Sequence, residues 1–86
     1  MPVISSFYGI TIYFFFEEHN PPHFHAKYNE FEALISIQNF GLIKGYLPGK
    51  ALGLVVEWAI LHQNELLTDW DLAVQNKLPN KIEPLK

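Results

Sequence analysis

His23-Phe24-His25-Ala26-Lys27-Tyr28-Asn29-Glu30-Phe31-Glu32-Ala33-Leu34-Ile35-Ser36-Ile37-Gln38 is the stretch whose reading decides the fold. Two runs, 23–28 and 31–38, flank Asn29-Glu30, a pair suited to a tight turn between strands. In the second run Phe31, Ala33, Ile35 and Ile37 alternate with Glu32, Leu34, Ser36 and Gln38, which gives a strand one core face and one partly wet face. A connection this short joins only antiparallel strands, because a parallel pair needs a crossover of a dozen or more residues.

Upstream, residues 10–16 read as a strand from their β-branched and aromatic content. Ile10, Ile12, Phe14 and Phe16 share one face and Thr11, Tyr13 and Phe15 the other, so both faces are largely apolar and the strand belongs where both are covered. Ser5-Ser6 with Gly9 makes the piece before it a short strand or a turn. Downstream, Asn39-Phe40-Gly41 offers another turn and residues 42–47 a further strand. From Lys50 the apolar period changes from two to about 3.6, and Pro48 sits where a first helical turn tolerates it. Leu52, Val55, Val56, Ala59 and Ile60 form one stripe, and Leu54, Trp58 and Leu61 a second. A helix apolar around most of its circumference is either buried on several sides or gives one of them to another chain; in a chain this short the second is the expectation, the occupant being a second copy or a different protein. His62-Gln63-Asn64 marks a kink or short turn, with Asn64 able to cap a second helix over 64–75. The expectation is a single α+β domain over 1–86: an antiparallel sheet of about four strands, then two helices packed on it.

Composition narrows the function classes. With 86 residues there is room for one core. No cysteine means no disulfide and no thiolate nucleophile or ligand, so any metal would need histidine and carboxylate donors. All six basic residues are lysine against nine acidic ones. Arginine's planar fork suits phosphate and guanine, and its absence weakens a nucleic-acid reading. No stretch approaches the roughly 20 apolar residues of a membrane span, and the first residues lack the pattern of a secretory signal, so a cytoplasmic location is expected.

Three of the four histidines lie between positions 19 and 25, in His19-Asn20-Pro21-Pro22-His23-Phe24-His25. His23 and His25, two apart on a strand, project from one face while Phe24 points into the core. A same-face imidazole pair, expected to stand open to solvent, suits a metal and equally a proton relay, since histidine titrates near neutrality. Acid-base action on a phosphodiester, with Lys27 or Lys44 near the developing charge, competes with a purely structural reading in which the rings pack on aromatics and bond loop carbonyls. The prolines keep residues 20–22 extended, so His19 reaches the pair only if the chain folds back, for example through a cis proline. Glu17, Glu18, Glu30 and Glu32 are available as carboxylates, none at a diagnostic spacing. No cofactor is called for; His23 and His25 are the ligands if a metal binds. The run from Gly45 to Lys50 lacks the glycine spacing of a phosphate loop, and Ser5, Ser6 and Ser36 form no triad signature.

The signature His19-Asn20-Pro21-Pro22-His23-Phe24-His25-Ala26, together with Phe7-Tyr8-Gly9-Ile10, Leu47-Pro48, Glu57-Trp58, Leu61-His62, Glu65-Leu66-Leu67, Trp70 and Ile82-Glu83-Pro84-Leu85, resembles a family of small bacterial proteins known only as a domain of unknown function, number four-one-six-zero. Its members are often encoded beside a second small protein in an arrangement like a toxin–antitoxin module. The resemblance implies a toxin neutralised by that antitoxin-like partner, with RNA as the target. His19, His23 and His25 carry over as the active or target-binding site, and the helix around Trp58 as a candidate surface for the partner; Asn20 within the signature, and Lys27 from the acid-base reading, are further candidate binding residues. Relatives often have a basic residue where this chain has Thr11 and Gln63, so a mechanism needing a cation at either place does not carry over.

Overall fold

The computed structural model describes residues 1–86. Five strands, β1 (Val3–Phe7), β2 (Ile10–Tyr13), β3 (His23–Tyr28), β4 (Phe31–Ser36) and β5 (Leu42–Gly45), form one antiparallel sheet in the order β1-β2-β3-β4-β5. Two helices follow, α1 (Gly49–Leu61) and α2 (Gln63–Val74). The α+β expectation holds, with one strand more than the alternation alone indicated. That strand, β1, pairs Phe7 with Ile10 and Ser6 with Thr11 across the Tyr8-Gly9 turn, both of whose residues have positive φ. A bulge between Val3 and Ser5 breaks its period of two and hides the pattern from the sequence.

The hairpin at Asn29 forms as the turn chemistry dictates, with Asn29 at a φ of 54° and Tyr28 paired to Phe31. Its register sets the two faces. Ile10, Ile12, Phe24, Ala26, Ala33 and Ile35 point to one side, where Val55, Trp58 and Ala59 of α1 and Leu66, Trp70 and Ala73 of α2 close over them as one buried cluster. At the other side stand Thr11, Tyr13, His25, Lys27, Glu32, Leu34 and Lys44, aligned by the pairs Tyr13 to His25, His25 to Leu34, and Leu34 to Lys44. β2 is hydrogen-bonded on both edges, which suits its two apolar faces.

Trp58 is fully buried, and its indole N–H donates to the Glu83 carbonyl at 2.7 Å. The last residues run back along β1, where the Ile82 N–H donates to the Ile4 carbonyl at 2.8 Å and Lys81 Nζ to the Val3 carbonyl at 2.8 Å. Internal packing therefore takes up the buried side of α1, and its most exposed apolar residues are Ile60 and Leu61. His62, rather than Asn64, stands at the N-cap of α2; Asn64 lies inside the first turn, where its carbonyl accepts from Thr68 Oγ1 at 3.1 Å. No helix is long and apolar enough to cross a membrane.

Candidate functional site

The loop between β2 and β3 builds the site. Phe14 anchors its start in the core, and the Glu17 N–H donates to the Ala73 carbonyl of α2 at 3.2 Å, with Glu17 at a φ of 59°. The chain then reverses through Asn20 and Pro21, joined by a cis peptide, and rejoins the sheet where the Ile37 N–H donates to the Pro22 carbonyl at 3.0 Å. This is the fold-back on which recruitment of a distant residue depended. The residue it delivers to the histidine pair is Glu18, and His19 stays exposed.

His23 and His25 stand side by side on β3 as the alternation requires, with ring centroids 5.3 Å apart. Both Nε2 atoms converge on one carboxylate: His23 lies 3.0 Å from Glu18 Oε2 and His25 lies 2.5 Å from Glu18 Oε1. His23 Nδ1 is 2.9 Å from the Pro21 carbonyl oxygen, which only accepts, so this nitrogen carries the hydrogen and donates. Aromatic rings fix the imidazoles. Tyr13 stacks on His25 with planes 17° apart, Phe15 meets the same ring edge-on at 4.7 Å, and Trp70 of α2 lies 5.1 Å from His23.

The rings are not open to solvent. His23 retains 6% of its exposure and His25 7%, a correction to the expectation of two accessible imidazoles. The aromatic residues of β2 and α2 cover them, which an alternation pattern in β3 does not reveal. Access runs through Glu18, whose side chain keeps 21% of its exposure. Glu18 and His25 border a groove of about 460 Å³ with Phe15, Glu32, Leu34, Lys44 and Gly45. Burial raises the Glu18 carboxyl pKa, but the hydrogen bonds and charge of His25 and His23 outweigh it and hold the group below its ordinary value. Beside the groove Tyr13 Oη donates to Glu32 Oε1 at 2.5 Å, and burial followed by this hydrogen bond pushes the phenol well above its usual range.

Of the residues singled out by sequence, the structure brings His23 and His25 together and places Lys44 on the groove that His25 borders. Lys27 lies on the same face, exposed and paired across the sheet with Thr11 and Glu32. Asn20 is exposed in the loop, and Trp58 lies in the core, so its contacts are internal. Glu18 is the participant that sequence reasoning passed over among four glutamates. The two prolines between it and His23 are the signal that could have found it, since they turn the loop back over β3. Together the three side chains form the cluster able to hold a metal ion, with one donor atom from each within 4.8 Å of the others.

Residues 9–71 match the family described as Domain of unknown function (DUF4160). The chain belongs to this family. The match takes in every strand from β2 to β5, the whole of α1 and the Glu18, His23 and His25 cluster. No curated protein and no solved structure matches the chain.

Proposed function

We propose that this DUF4160 chain is the toxin-like member of a bacterial two-gene module, a ribonuclease-like hydrolase restrained by a small protein partner and working at Glu18, His23 and His25. The gene pairing common in the family supports the modular role. One observation carries the location of the site: a carboxylate gripping two buried histidines forms the border of an open groove that also holds Lys44 and the exposed ring of Phe15. Lysine is suited to neutralising a phosphate, and an exposed aromatic ring to stacking on an unpaired base. Groups with this geometry act on a ligand reached through the groove, with Glu18 as the point of contact.

Expression of the chain alone in a bacterial host is expected to arrest growth, and co-expression of the neighbouring gene's product to relieve the arrest. His25→Ala is expected to abolish the arrest while the complex with the neighbour survives. Harmless expression of the unmodified chain overturns the toxin reading, and arrest that persists in His25→Ala removes this site from it.

A second reading is favoured by the bonded state of the imidazole nitrogens. In it the cluster braces the loop, and the exposed His19-Asn20-Pro21 edge recognises a protein partner without catalysis. His19→Ala with Asn20→Ala would then break the complex with the neighbour, and an unchanged complex eliminates that reading.

A further inference from the structure

We infer that Glu18, His23 and His25 form a binding site for one divalent transition-metal ion of the zinc type, open toward the groove. The first ground is convergence. His23 Nδ1 is held by the Pro21 carbonyl at 2.9 Å, which turns Nε2 toward Glu18 Oε2 at 3.0 Å, and a second imidazole nitrogen is aimed at the same carboxylate from His25. One donor atom from each of the three side chains lies within 4.8 Å of the others, an arrangement that a cation seated between them satisfies.

The second ground is the way the rings are supported. A histidine that ligates a metal through one nitrogen characteristically donates the other N–H to a carboxylate or backbone carbonyl, which fixes its tautomer. His23 has this arrangement. His25 is held between the face of Tyr13 and the edge of Phe15, so neither ring has to be ordered when an ion arrives. The hydroxyl of Tyr13 is committed to Glu32 and does not compete.

Donor type and spacing set the class of ion. Two imidazoles and one carboxylate, with no thiolate in the chain, suit zinc with a water in the fourth position, or ferrous iron and its neighbours with more open positions, rather than calcium or magnesium. Donors about 2.0–2.2 Å from a tetrahedral ion stand about 3.3–3.6 Å from one another. The 3.0 Å contact opens by a few tenths of an ångström, the 2.5 Å contact by roughly one, and the full spread of 4.8 Å closes by a little more than one. The three donors take one side of the ion, and the groove lined by Phe15, Leu34 and Lys44 gives its free positions room for water or an anionic ligand.

This goes beyond the RNA reading and does not depend on it: an ion bound without growth arrest supports the site and refutes only the toxin. The test is calorimetric titration of the full chain, purified without a histidine tag and stripped with chelator, using Zn²⁺. One tight equivalent is expected, with Glu18→Gln and His25→Gln each weakening it by about 100-fold or more. His62→Gln, which removes the separate His62 and Glu65 pair between the two helices, is expected to leave it unchanged. Absence of a tight equivalent, or equal affinity in Glu18→Gln and His25→Gln, overturns the proposal. Should those variants fail to fold, nitrogen-15 spectra of the unmodified histidines replace them. Zn²⁺ is then expected to shift Nε2 of both His23 and His25 while the His23 Nδ1–H persists, and unshifted Nε2 resonances overturn the site.

Discussion

Tyr13 lies flat against His25 with ring centroids 5.0 Å apart, while its hydroxyl reaches across the sheet to Glu32. One side chain thus supports an imidazole and ties β2 to β4 across the strand between them. Tyr13→Phe keeps the stack and loses the hydrogen bond, so a loss of about 0.5–1.5 kcal/mol is expected in urea unfolding. Burial and Glu32 raise the phenol's pKa in the folded chain, so the unfolded chain ionises first, at about pH 10, and stability falls as pH rises beyond that. Subtracting the variant's alkaline absorbance titration from that of the parent isolates Tyr13; a phenolate signal at an ordinary tyrosine pKa would contradict the assigned bond.

Two glycines predict opposite outcomes for one substitution. Gly45 has a φ of +85°, and a Cβ there would fall 2.2 Å from the Glu32 carbonyl oxygen, so Gly45→Ala is expected to destabilise by about 2–4 kcal/mol. Gly53, exposed in the middle of α1, has open space at the same position, and Gly53→Ala is expected to stabilise by about 0.5–1 kcal/mol. Thermal melts of the pair decide, and a Gly45→Ala protein as stable as its parent would contradict the close approach of β5 to β4.

Asp69 is buried in α2 with Oδ1 accepting from the Asn80 N–H at 2.9 Å and Oδ2 unpartnered. Burial raises its pKa, the Asn80 bond lowers it in part, and Glu65 adds to the rise. The unfolded chain therefore loses this proton first. The cost of ionisation is absent below the ordinary aspartate value of about 4, grows as pH rises toward the raised value, and is complete above it. Asp69→Asn keeps the acceptor and removes the titration, so its stability relative to the parent is expected to improve from pH 3 to pH 7. Parallel pH profiles of the two proteins would show that the burial has no such effect.

Leu61 and Ile60 keep 67% and 57% of their exposure at the end of α1. Under the two-gene reading, this exposed end of α1, rather than the buried Trp58, is the surface offered to a partner. Leu61→Glu is expected to alter stability by no more than about 0.5 kcal/mol and to weaken the complex with the neighbouring gene's product by at least about tenfold. Light scattering of the mixed proteins reads the result, and an undiminished complex places the partner elsewhere.

The alternation from Ile10 to Gln38 made most of the sheet legible. Residues alternating on both sides of Asn29 read correctly because a tight turn transmits register from one strand to the next. The ends read too long: β4 stops at Ser36 because Ser36 Oγ then accepts from the Gln38 and Asn39 N–H groups, a local turn that overrides the apolar run. Phe24 in the core and the same-face histidines followed from strand geometry alone. Glu18 did not, because its place depends on a loop conformation, and the burial of His23 depends on Trp70, 47 positions later, docking from α2.

Glu18, His23 and His25, with the Tyr13 and Phe15 rings that hold them, all come from β2, β3 and the single loop between them. The three donors lie within eight residues of the chain, so closing the loop between them costs little entropy, and the Glu17 N–H bond to Ala73 and the Trp70 ring against His23 fasten that loop to α2. An ion seated there would therefore tie the sheet to the second helix, and losing it would loosen that junction.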